Sequence, residues 1–248
     1  MKMNRKQEIV EKRLGIPPDY QYKAMRSRPW LQKNWHKNKF VAVGEIMNFS
    51  KEDSVLDPGT GSGNFELMFA NRVKKIVGVD YNDEAIGFLR GMLKKRKLAN
   101  VVLVVSGIRG LPTMVTRGRY SKVVMVDTIE HIRIDEAKEL VKKIRTLLHP
   151  GGEVLLITPN YHSVWMLVER LLDNLTIVPK FNGEQHLAKF TAKNMVEMLK
   201  VAGYKDISIS SFNLFSFIFP PVLCGWMLKV ERTMLGSLGC LLCVHARR

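Results

Sequence analysis

Val55-Leu56-Asp57 runs without interruption into Pro58-Gly59-Thr60-Gly61-Ser62-Gly63. A short apolar run that closes on an acid and then meets glycine at every second position describes a strand turning sharply into a helix. Glycine tolerates the backbone angles of such a turn and lets a ligand approach the main chain. A helix just beyond it, over Asn64–Arg72, would aim its free N–H groups at that ligand. The spacing G-x-G-x-G departs from the dinucleotide fingerprint G-x-G-x-x-G, whose third glycine would fall at Asn64. A second acid, Asp80, closes the next apolar run 21 residues after Gly59. From that position a carboxylate can take two ribose hydroxyls.

Around this turn the chain alternates short apolar runs with longer amphipathic ones. Strands are predicted at Ser54–Asp57, Lys75–Asp80, Val101–Val105, Lys122–Asp127, Glu153–Thr158, Ile207–Phe212 and Cys240–Ala246. Helices are predicted at Asn64–Arg72, Asp83–Leu98, Glu136–Leu148, stopping at Pro150-Gly151-Gly152, and Thr191–Ala202, capped by Gly203. The expected fold is therefore α/β, a Rossmann-like and mostly parallel sheet with helices on both faces. Ligands of such sheets sit beyond the carboxyl ends of the strands. That rule selects Asp57, Asp80, Ser106–Ile108, Asp127–His131 and Thr158–Tyr161. Upstream, residues 5–14 and about 20–48 read as helices parted by Pro17-Pro18. Residues 1–50 would form a helical cap on a domain spanning 51–248.

With 46% apolar and 25% charged residues the chain can bury a sizeable core, which excludes wholesale disorder. Its net charge is +16, and residues 1–40 hold eleven Lys or Arg against three acids. A basic block of this kind attracts nucleic acid, an anionic membrane surface or a phosphorylated substrate, or is a solvated helix face. The charged start, Met1 to Arg13, has no apolar core of the signal-peptide kind, so the cytoplasm is the default compartment. Cys224, Cys240 and Cys243 are too few and too clustered for a secreted disulfide framework and are expected to be packed thiols. Ile207–Leu228 carries no charge over 22 residues. Pro220-Pro221 in its midst argues against a membrane span and for a strand followed by an apolar, partly interfacial insertion.

The motifs VLDPGTGSG, GVDYND, VVMVDTIEHI and LLHPGGEVLLITPN, in that order, resemble those of class I S-adenosylmethionine-dependent methyltransferases. The likeness is greatest to the group that includes ubiquinone-biosynthesis O-methyltransferases and many small-molecule methyltransferases, and it covers roughly residues 35–210. The resemblance implies a seven-stranded sheet whose last strand, Cys240–Arg247, runs antiparallel, with insertions at residues 160–190 and 213–239. It implies S-adenosylmethionine as cofactor and S-adenosylhomocysteine as product. Asp57, Pro58, Gly59, Thr60, Gly61 and Gly63 would hold the methionine part, Asp80 the ribose and Tyr81 the adenine face. Gly107 and Ile108 would lie at the adenine edge, where Gly107 replaces an acid found in many relatives. Asp127 and Thr128 would line the floor near the sulfonium.

Methyl transfer to a hydroxyl gains from a general base, and His131 is the candidate, with Glu130 sharing or positioning. Asp127-x-x-Glu130-His131 also resembles the E-x-x-E-H ligands of some metal-dependent methyltransferases, with His186 or His162 as a further ligand. Many relatives carry the Glu-His pair without an ion, so no metal is expected. The acceptor pocket would be built from Trp30, Trp35, His36 and Lys39 and from 160–190, including Tyr161, Trp165 and His186. An apolar pocket with a basic rim suits a small lipid-like or anionic aromatic acceptor, methylated at oxygen. The apolar insertion would bring the enzyme to a membrane surface. The sequence lacks the D-P-P-Y and N-P-P-Y tetrapeptides of base-amine methyltransferases, so nucleic-acid bases are disfavoured. The rivals are an RNA ribose methyltransferase, a non-catalytic binding module on the same fold, and an NAD-dependent oxidoreductase, which the glycine spacing opposes. The sequence leaves the oligomeric state open.

Overall fold

The computed structural model describes residues 17–164, 186–234 and 236–248. The predicted helix over 5–14 and the pocket residue Trp165 lie outside them. A one-turn helix, α1 (Tyr20–Ala24), and the 18-residue α2 (Trp30–Met47) come first. The single helix predicted over about 20–48 is therefore broken. Pro29 sits in extended backbone at ψ 117° just before α2, and a residue preceding proline is itself pushed away from helix. The chain then follows the alternation read from the sequence: β1 (Ser54–Pro58), α3 (Asn64–Phe69), β2 (Lys75–Asp80), α4 (Asp83–Lys95), β3 (Val101–Val105), α5 (Thr113–Thr116), β4 (Tyr120–Val126), α6 (Ile134–Leu147), β5 (Leu148–Pro159), α7 (Ala192–Val201), β6 (Lys205–Phe212), α8 (Pro221–Met234) and β7 (Leu241–Arg247).

The seven strands form one sheet in the order β3-β2-β1-β4-β5-β7-β6. β7 is antiparallel to both neighbours, and the remaining pairs are parallel. The strand order reverses between β1 and β4, which opens a crevice at their carboxyl ends. β5 begins five residues earlier than predicted. Leu148 pairs with Tyr120 and the register then shifts before Lys122 meets Glu153, so Pro150-Gly151-Gly152 is an irregularity inside the strand.

Both faces are covered. On one, Leu140, Val141, Ile144 and Leu147 of α6 and Met195, Met198 and Leu199 of α7 pack over Val123, Met125 and Leu156. On the other, Phe40, Val43 and Met47 of α2, Phe65 and Phe69 of α3 and Leu228 of α8 pack over Val124, Leu155 and Ile157. Burying each such side chain contributes about 1.5–3 kcal/mol. The helical cap thus shares a core with the sheet.

The stretch expected as an apolar insertion, 213–239, holds a 3-10 turn, Ser216–Ile218, and the 14-residue α8. Pro221 is the first residue of α8, where a missing N–H costs nothing. The insertion is tied down by Glu231, which is fully buried and accepts from the N–H groups of Asn213 (2.8 Å), Phe215 (2.5 Å) and Ser216 (2.7 Å). Among the described residues no helix is long and apolar enough to cross a membrane. The three cysteines are buried and unbridged, and burial pushes the thiols of Cys240 and Cys243 up to about 12.

Candidate active site

The glycine turn is as sharp as its sequence implies. Gly59, Gly61 and Gly63 all have positive φ (94°, 52° and 79°). At Gly59 the main chain also runs against Thr128: a Cβ there would stand 2.3 Å from that side chain. At Gly63 a Cβ would stand 2.1 Å from Leu89 of α4. The N–H groups of Gly59 and Thr60 both donate to the Val79 carbonyl, at 2.7 and 3.1 Å, which staples the turn to β2. Pro58 closes β1 opposite Val79.

Asp80 stands at the end of β2. One carboxylate oxygen accepts from the Gly61 N–H (2.8 Å) and the other from the Asn82 N–H (2.9 Å). Tyr81 follows, half-buried. Gly107 and Ile108 lie beyond β3, where the Ser106 N–H donates to the Asp80 carbonyl at 2.8 Å. Ile108 is buried and faces a larger cavity of about 720 Å³ between α6 and α7, with Arg109 and Glu136 at its wall.

Beneath the turn lies a group that the sequence reading passes over. Glu66, in the first turn of α3, is fully buried. It accepts from the Thr60 hydroxyl and is hydrogen-bonded to Asp57. Burial, followed by the charge of Glu66 and its hydrogen bond, pushes the Asp57 carboxyl well up. Burial pushes Glu66 up to about 7. Two adjoining buried carboxylates cannot both ionise cheaply, so the pair shares a proton. An acid in the first turn directly after a glycine cradle is the signal available in the sequence.

The opposite wall comes from the cap. Gln21, His36, Lys39 and Phe40 face Asp57, Gly59, Thr60, Val126 and Asp127 across a narrow cavity of about 20 Å³. Asp127 directly follows β4, with φ 51°, and binds the buried Lys39 ammonium. Burial pushes its carboxyl up, but Lys39 outweighs this and holds it below the usual range. Burial, then Lys39, pushes His36 down to about 3, so its ring is neutral. The Tyr22 N–H donates to Ser62 at 2.9 Å and Asn64 donates to the Gln21 carbonyl at 3.0 Å, which closes α1 over the turn. Trp30 and Trp35 do not join this wall. Trp30 is exposed and donates to the Ile218 carbonyl at 3.1 Å, and Trp35 packs edge-on against Phe217.

Beyond β4, Glu130 and His131 occupy a 3-10 turn. Glu130 is buried; one oxygen accepts from Thr158 at 3.0 Å, and among the described residues the other, Oε1, has no hydrogen-bond partner. Burial raises its carboxyl to about 7. His131 is exposed. The Leu187 and Ala188 N–H groups donate to the Glu130 carbonyl at 2.8 and 3.0 Å, and this brings His186 alongside. The His131 and His186 rings stand 5.3 Å apart, and His186 Nδ1 lies 2.5 Å from the Tyr161 hydroxyl. Glu130, His131 and His186 offer ligand atoms within 4.8 Å of one another, a set suited to a divalent ion. Asp127 is not in this set. The spacing suggests it as a ligand, but its carboxylate is bound by Lys39, 88 residues upstream. His162 is not in the set either.

These acids, the three glycines and the Thr128 contact fit a cationic nucleoside ligand. The three glycines hold the turn at backbone angles that other residues rarely adopt, and Asp80 closes β2 beside it with its carboxylate on the Gly61 and Asn82 N–H groups. A family described as "Methyltransferase domain" matches residues 31–209. The ribosomal RNA small subunit methyltransferase G of Coxiella burnetii is 25% identical over 202 residues, covering 74% of this chain and 95% of that protein. Among solved structures, phosphoethanolamine N-methyltransferase 2 of Haemonchus contortus in complex with S-adenosyl-L-methionine superposes with a TM-score of 0.67 at 16% identity, covering 97% of this chain and 59% of the other. The N-methyltransferase NodS of Bradyrhizobium japonicum, in complex with S-adenosyl-L-homocysteine, covers 99% of each chain with a TM-score of 0.61 at 11% identity. None of these relatives singles out the ubiquinone-biosynthesis group. The chain belongs to the methyltransferase-domain family, as a class I S-adenosylmethionine-dependent methyltransferase.

Proposed function

We propose that the enzyme methylates a small apolar or lipid-like acceptor at a hydroxyl oxygen, with His131 as general base. One observation carries the reading: an exposed imidazole stands beside the buried, half-satisfied carboxyl of Glu130 at the mouth of the β1–β4 crevice. Asp57, Pro58, Gly59, Thr60, Gly61 and Gly63 would hold the methionine part of the cofactor. Asp80, Tyr81, Gly107 and Ile108 would take its nucleoside, and Asp127 and Thr128 would form the floor. The bound cofactor supplies a methyl group already activated by its sulfonium. The protein's task is then to align the acceptor and exclude water. His131 accepts the hydroxyl proton, and Glu130 positions the ring or carries part of the resulting charge. Transfer of labelled methyl from S-adenosylmethionine to a panel of phenols, catechols and polar-lipid extract tests this. His131→Ala should lower kcat by about 10²–10⁴-fold with little change in cofactor affinity. An unchanged kcat would remove His131 from the chemistry.

Two observations favour variants of this reading. The grouping of Glu130, His131 and His186 favours a divalent ion, which would polarise the acceptor oxygen in place of a base. Activity lost in EDTA and restored by Mn²⁺ or Zn²⁺ would select that variant. The likeness to a ribosomal RNA methyltransferase, with the charge of +16, favours an RNA acceptor. Label appearing in RNA, through binding that weakens steeply with salt, would select that one.

A further inference from the structure

The side of the molecule where α2 meets the insertion carries a cluster of exposed apolar side chains. Val222 is 91% exposed and Trp226 65%. They are four residues apart on α8 and so share one face, whereas Cys224, Leu228 and Glu231 make the buried face. Leu223 and Ile218 are exposed beside them, and Trp30, at the start of α2, reaches the Ile218 carbonyl. The cluster is held rigidly. Asn34 donates to the carbonyls of Phe217 (3.3 Å) and Phe219 (2.8 Å), and Asn38 donates to Asn213 (2.8 Å) and Ser216 (3.2 Å). Two tryptophans and three aliphatic side chains are thus presented outward from a fixed frame.

The charge around this cluster has one sign. Arg28, Lys37 and Lys229 are exposed and Lys33 is half-buried. Between Asp19 and Glu45 the sequence has no acid, and from Ile207 to Arg248 the sole acid is Glu231. Glu231 is consumed by three N–H groups, and Glu45 is paired with Arg232. An apolar patch containing tryptophan and rimmed by cations matches the interface of an anionic bilayer, where indole rings settle at headgroup depth and basic side chains meet lipid phosphates. A second copy of the chain is a poorer occupant. Pairing about a two-fold axis would set the cationic rims against each other.

We propose that this face, centred on Val222, Trp226 and Trp30, docks the enzyme on anionic membranes. The same helix that starts at Trp30 carries His36 and Lys39 into the cavity beside Asp127, about 9 and 14 Å further along its axis at 1.5 Å per residue. Docking therefore sets the site beside the lipid surface. The surface stands on its own observations; its service in acceptor capture rests on the lipid-like acceptor proposed above.

Vesicle flotation of the full chain tests the proposal. Wild type should float with phosphatidylcholine vesicles rich in phosphatidylglycerol, should not float with phosphatidylcholine alone, and should detach in high salt. Val222→Glu with Trp226→Glu should lower the floated fraction by about tenfold or more, while the melting-temperature shift caused by S-adenosylhomocysteine stays as in wild type. Arg28→Glu with Lys229→Glu should do the same without touching the apolar cluster. No flotation of wild type, or flotation equal in the variants, overturns the proposal. So does a wild-type dimer by sedimentation velocity that becomes monomeric in the Val222/Trp226 variant, because a second copy is then the occupant. Flotation without methylation of any lipid-phase acceptor leaves the docking face standing and removes the acceptor reading instead.

Discussion

A shared proton under the glycine turn is the most consequential single-residue feature of the site. Asp57 and Glu66 meet there with Thr60, and burial raises both carboxyls, Glu66 to about 7. A carboxyl raised above its unfolded value favours the fold while it stays protonated. The contribution is complete below about pH 4 and is lost as pH rises through about 7. The melting temperature of the cofactor-free enzyme should therefore fall between about pH 5 and about pH 8. Glu66→Gln should flatten that fall, because an amide keeps a hydrogen-bonding group without a charge to bury. Equal slopes in a pH series of thermal melts would contradict the shared proton. A ligand bearing ammonium and sulfonium charges favours the ionised pair, so its affinity should rise over the same window.

At the scale of elements, the sequence was most informative where strands are buried on both faces. Lys75–Asp80, buried along all but its first residue, has the bounds predicted, because an apolar run ending in an acid has few other places to go, and the half-buried edge strand Val101–Val105 keeps its predicted bounds too. The cap was harder: the apolar spacing of α2 continues back across Pro29, and only the backbone restriction before proline breaks it. The insertion helix was hidden for the opposite reason, since Pro220-Pro221 reads as a breaker although Pro221 begins α8. Partners distant in the chain were out of reach. Lys39 claims Asp127 from 88 residues away, and Glu66 looks in sequence like any acid in a first helical turn. Glu231 is a similar long-range tie, and it carries a prediction. Glu231→Ala should strand three N–H donors, two of them buried, and cost about 3 kcal/mol or more in urea unfolding. A loss under about 1 kcal/mol would show that the insertion is held by α2 instead.

For the molecule as a whole, the doubly wound sheet gathers Asp57, Asp80, Gly107 and Asp127 at the carboxyl ends of four adjacent strands, and the cap faces Asp57 and Asp127. The cavity beside the glycine turn is walled by His36, Lys39 and Phe40 of α2, and the exposed apolar patch lies toward the Trp30 end of the same helix. The proposed chemistry requires the cofactor to occupy the turn beside Asp80. Isothermal titration with S-adenosylhomocysteine measures this directly, comparing wild type with Asp80→Asn and using NADH as the control ligand. Wild type should show saturable one-to-one binding, Asp80→Asn an affinity lowered by about tenfold or more as the ribose loses a charged acceptor, and NADH no heat. Binding unaffected by Asp80→Asn, or binding of NADH in its place, would contradict that chemistry.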